Sequence, residues 1–115
     1  MNRKHDIRSV QIHGAHNIAM AFSLILGERA KQIEKGFNEQ HDALHEGCEL
    51  VDAASSMLER SRAESIHDTA QIEHAKRIWP WALCEMPERI SSMRDLIIAT
   101  SLLVAEIERR LNVDE

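Results

Sequence analysis

The run LIIATSLLVA (96–105) carries no formal charge along its whole length. A helix that is apolar nearly all round is normally buried on most sides. The run is nevertheless too short for a bilayer, because no uncharged stretch of the chain approaches the roughly 20 residues that a spanning helix needs. It therefore reads as the central element of a set of packed helices. Ile90, Met93, Ile97, Val104, Ile107 and Leu111 extend it to a helix over about 88–111, with Pro87 suited to its first turn. So apolar a helix is hard to bury within 115 residues, and this predicts an oligomer.

The rest of the chain agrees with helices. Its length suits one domain with a modest core. Apolar residues make up 43%, Tyr is absent, and there are four Gly and two Pro, a balance that favours helix over a turn-rich β fold. Residues 1–14 are polar, end in Gly14 and read as a flexible N-terminal arm. A first helix is expected over 15–35, carried by Ile18, Phe22, Ile25 and Ile33, with Gly36 as its stop. A second is expected over 41–61, where Leu44, Cys48, Val51, Ser55 and Leu58 form a core stripe. A third, more polar, covers about 64–77. WPWALCEMP (79–87) then breaks the pattern. The expectation is an all-α bundle of four to five helices, one domain over 15–115.

Composition also narrows function. The net charge is −5 and the basic residues are spread out, so a nucleic-acid polymer has no footprint here. A phosphate-bearing substrate stays open, because a divalent cation can reverse the local sign. Cys48 and Cys84 make no disulfide framework and read as reduced, small apolar residues. The N-terminal residues have no signal-peptide h-region, and the expectation is a cytoplasmic protein without a membrane.

Three features can carry chemistry. On the second helix, at about 100° per residue, His41, Asp42, His45, Glu46, Glu49 and Asp52 gather opposite the expected stripe. Glu46 and Glu49 are neighbours at i, i+3, and like charges at that spacing cost stability unless something offsets them. Hard carboxylate oxygens suit Mg²⁺ or Mn²⁺; the alternative is a solvated face. Asp95 borders the charge-free run, where a carboxylate must be paired or metal-bound if it is inside. It either shares a cation with the acidic face, faces water, or pairs with Arg94 or Arg89. Trp79 and Trp81 are half of the chain's four aromatics and either stack on a planar ligand or anchor their loop. Weaker signals are His41 and His45 at zinc spacing without a third soft ligand, and the pair HD at 41–42 and 67–68. Neither a nucleophile elbow nor a Gly-rich phosphate loop is present.

As an ordered set, GERAKQIEKGF (27–37), HDALHEGCELVDAA (41–54), WPW (79–81) and RDLIIATSLLVAEIER (94–109) resemble the small MazG-like proteins of phages and mobile elements. These belong to the all-α nucleoside triphosphate pyrophosphohydrolases, and the resemblance covers about 80 residues. It implies a four- or five-helix fold assembling as a homodimer or homotetramer. It also implies hydrolysis of an NTP or dNTP to the monophosphate and pyrophosphate. In that family an E-x-x-E pair and an E-x-x-D pair hold Mg²⁺ or Mn²⁺. Glu46 and Glu49 fit the first, and Asp95 fits the end of the second. The resemblance further implies Glu28 or His45 as an orienting group or base beside Glu49. Gln32, Lys35 and Arg94 would contact phosphates or base, and Trp79 and Trp81 would border the base pocket. The chain departs from the pattern at Ser92, where a Glu is expected; Glu28, Asp52 or Asp42 would have to substitute. Gly47 comes one place early, and Ile98 stands where a Lys is common. The loss at Ser92 motivates a second reading, a non-catalytic binding or assembly module on the same scaffold.

Overall fold

The computed structural model describes residues 3–35 and 48–113, and among these the chain is all-helical, without a strand. Helix α1 spans Arg3–Glu34, α2 Glu49–Ser61, α3 Thr69–Ile78 and α4 Ser92–Val113, with a single 3₁₀ turn at Leu83–Glu85. No helix among the described residues is long and apolar enough to cross a membrane.

Helix α1 opens at Arg3 rather than near residue 15. Gly14 lies inside it, with open space where a Cβ would stand. A glycine in a helix costs only about 1 kcal/mol relative to alanine, too little to end a helix of this length. The polar stretch 41–47 expected to begin the second helix lies outside the described residues. Helix α3 starts later than expected because Asp68 caps it, accepting a hydrogen bond from the Gln71 backbone N–H at 3.4 Å. The second HD pair is therefore a helix start. Pro87 does not enter the last helix: residues 87–91 are irregular, and Ser91 Oγ accepts from the Arg94 backbone N–H at 3.0 Å, as an N-cap does.

Helix α2 packs against both α3 and α4, and α1 packs against α4. The core lies where α2 meets α4: Leu50, Ala53, Ala54 and Met57 face Ile98, Ala99, Leu102 and Ala105, and Trp79 closes one side. Alanines on both helices let the backbones approach.

This core corrects three expected stripes. Cys48, just before α2, and Leu58 on it are exposed, and Val51 and Ser55 are only half-buried. The inward face has turned to Leu50, Ala53, Ala54 and Met57. On α4 Ile90, just before the helix, and Met93, Ile107 and Leu111 within it all point outward, and Asp95, Ser101 and Glu106 point in. On α1 Ile18, Phe22 and Ile33 are exposed, whereas Glu28, Arg29 and Gln32 are buried. A helix with apolar residues on every side carries little phase information, and the small residues then decide which side packs closest.

Candidate functional site

Asp95 is completely buried, and its needs are met by cations of the chain itself. Arg60, at the end of α2, donates from Nη2 to Asp95 Oδ1 at 2.9 Å and from Nε to Oδ2 at 3.2 Å. Arg89 donates from Nη1 to Oδ2 at 3.1 Å. The same two arginines hold backbone: Arg60 Nη1 donates to the Pro87 carbonyl at 2.6 Å, and Arg89 to the carbonyls of Arg60 and Ala63. Ser92 Oγ donates to the Ser61 carbonyl at 2.6 Å. The position where a Glu was expected is thus part of the clasp that joins the end of α2 to the start of α4. Of the alternatives open for Asp95, pairing with Arg89 is the one present. Arg60 was missed, and the only sequence signal for it was the charge that a buried Asp95 requires.

Glu49 and Asp95 do not meet. Arg60 stands beside Asp95, and Glu49 is at the other end of α2, about 16 Å away at 1.5 Å of rise per residue. Glu49 lies instead within electrostatic reach of Arg109. The Arg109 guanidinium has its pKa raised, first by its hydrogen bond to Glu106 and then by the charges of Glu106 and Glu49. The Glu106 carboxyl is held below its ordinary value, chiefly by the hydrogen bond from Arg109 and also by Arg110, against the opposing effect of burial. Arg109 Nε and Arg110 Nε donate to it at 2.7 and 2.8 Å. That trio was readable from the i, i+3 and i, i+4 spacing in EIERR.

A divalent cation shared by Glu49 and Asp95 does not fit this arrangement. Both Asp95 oxygens are taken by guanidinium groups, and no cluster of three or more His, Cys, Asp or Glu able to hold a metal occurs among the described residues. Of the two, Glu49 keeps an unmet acceptor: its Oε2 is buried without a hydrogen-bond partner. Asp52 is exposed one turn further on. His45 and Glu46 lie outside the described residues, as do His41 and Asp42.

The residues expected to meet substrate do converge. Glu28 and Gln32 from α1, and Lys35 just after it, line one cavity with Trp79 and Trp81, over a floor of Ile98 and Leu102. The cavity holds about 120 Å³, and Glu85 and Pro87 complete its rim. The indoles meet edge to face, with ring centroids 5.3 Å apart and planes at 86°. Trp79 Nε1 donates to the Ala82 carbonyl at 3.1 Å, fixing the loop that carries both rings. Trp79 is therefore loop anchor and cavity wall at once. Ile98, at the place where a Lys is common in the resembling proteins, forms part of the apolar floor. Arg94 reaches the cavity only through Glu28, with which it forms a short ion pair. Gln32 is buried, and its Oε1 has no partner. Glu85 was not anticipated from the sequence.

Comparison with models of known families, with curated proteins and with solved structures finds no match.

Proposed function

We propose that the chain binds a nucleoside triphosphate, ribo- or deoxyribo-, at the Trp79/Trp81 cavity and hydrolyses it to the monophosphate and pyrophosphate, as the resemblance to MazG-like proteins implies. The observation that carries the reading is the cavity itself: two indoles, an ammonium, an amide and an ion-paired carboxylate on one apolar floor. Indole faces suit a base, and Lys35 suits a phosphate. Mg²⁺ or Mn²⁺ belongs to the proposal as the cation that neutralises the polyphosphate and activates water. Its support in the described residues is limited to the unpaired oxygen of Glu49, and Asp95 has no place in it. The test is a panel of NTPs and dNTPs with Mg²⁺ or Mn²⁺. Pyrophosphate release is expected from at least one, and none from any of them overturns the hydrolase.

A specific observation favours the second reading, a non-catalytic binding module. The carboxylate that would complete a metal site is locked between Arg60 and Arg89. On that reading nucleotides change tryptophan emission and release no pyrophosphate.

Self-association as a homodimer or homotetramer is also proposed. Its support is the outward apolar side of α1 and α4: Ile18, Phe22, Leu26, Met93, Ile107 and Leu111 are all more than half exposed. Met20, Leu24, Met93 and Leu96 also line an open groove of about 520 Å³ between the two helices. So many large apolar residues exposed on two helices are unusual on a monomer. Light scattering coupled to sizing should give a multimer at micromolar concentration, and a monomer would refute it.

A further inference from the structure

One turn of α1 makes a wall of the tryptophan cavity, with Glu28 and Gln32 four residues apart upon it. Gln32 is only 7% exposed, and its Oε1 is cut off from solvent with nothing donating to it. Buried polar atoms are almost always paired, so an orphan acceptor on a residue that lines a cavity points to a ligand donor. The carboxylate of Glu28, paired with Arg94, stands beside it and adds acceptor character to the wall. A ligand carbonyl at this place would set lone pairs against lone pairs, whereas an amine would satisfy them.

We propose that Gln32 selects the base: its Oε1 accepts an N–H from an exocyclic amine, so the site takes adenine or cytosine in preference to hypoxanthine or uracil. This rests on the nucleotide reading above. Gln32 touches the base, not the scissile phosphate, and acts in binding.

The chain's two tryptophans both line the cavity and there is no tyrosine, so its intrinsic emission reports this site. The experiment titrates the full chain with α,β-methylene triphosphates, which do not turn over at that bond. One series is adenosine, purine riboside (adenosine without its amine) and inosine; the other is cytidine and uridine. In at least one series the amine-bearing member should bind about tenfold more tightly or better, the scale set by leaving a buried acceptor unmet. Gln32→Met should abolish that preference, and Gln32→Glu, which keeps an acceptor, should retain it. Equal or reversed affinities in both series overturn the inference and leave the nucleotide reading standing. A preference that survives in Gln32→Met also overturns it. No change of emission with any analogue overturns both.

Discussion

Two buried oxygen-bearing sites lie on neighbouring parts of the molecule and differ in completeness. At the start of α4, both oxygens of Asp95 are met by Arg60 and Arg89, which also hold the backbone of the 87–91 segment and of α2. At the tryptophan cavity, Gln32 buries an oxygen that nothing meets. The first arrangement is closed and ties elements together. The second is open in the chemical sense and is where a ligand has something to gain. A buried charge is therefore weak evidence of a functional site, and a buried group left unmatched beside a cavity is stronger evidence.

The contrast can be broken by substitution. Asp95→Ala strands Arg60 and Arg89 and should cost about 3–5 kcal/mol in urea denaturation, because it leaves buried charge uncompensated. A loss below about 1 kcal/mol would show the clasp to be dispensable. Glu106→Gln should cost about 1.5 kcal/mol near neutral pH, the scale of hydrogen bonds to a charged group. Glu106 has a lowered pKa, so its contribution is present above the ordinary glutamate range and is lost as pH falls through the folded value. The gap between wild type and variant should therefore narrow as pH falls below the ordinary glutamate range, and a gap that stays constant throughout acid titration would contradict that assignment. Ser92→Ala removes one bond to the end of α2 and should cost about 0.5–1 kcal/mol. Gln32→Met should change stability least, by less than about 0.5 kcal/mol in either direction, because the buried oxygen it removes has no partner to lose. A large loss there would show the amide to be structural, and the contrast would fail.

Much of the fold was legible and its phase was not. The all-helical class and the break at 79–87 followed from composition and turn chemistry, whereas the burial of Asp95 was one of three alternatives the sequence left open. The core faces of α2 and α4 did not, since Val51, Leu58, Met93 and Ile107 are as apolar as the residues that are buried. Ala53, Ala54, Ala99 and Ala105 set the approach of the helices, and small residues weigh little in a hydrophobic pattern. The expectation that Glu28, Gln32 and Lys35 meet substrate came from the resemblance, and their spacing of four and three brings them to one side of the end of α1. Their meeting with Trp79 and Trp81 depends on the course of the chain after α3, which no local spacing encodes.

Among the described residues, helix α3 has one sizeable neighbour. It leans on α2, buries Ala75 alone among its residues, and is held there by Ser56 Oγ donating to the Ala75 carbonyl at 2.6 Å and by Gln71 reaching Glu59. So small an attachment predicts that α3 opens before the α2–α4 pair does. Its backbone amides should then exchange with deuterium well ahead of those of α4. Since Trp79 follows directly from its last turn, each opening would slacken the loop that walls the cavity, giving ligand a way in without disturbing the core.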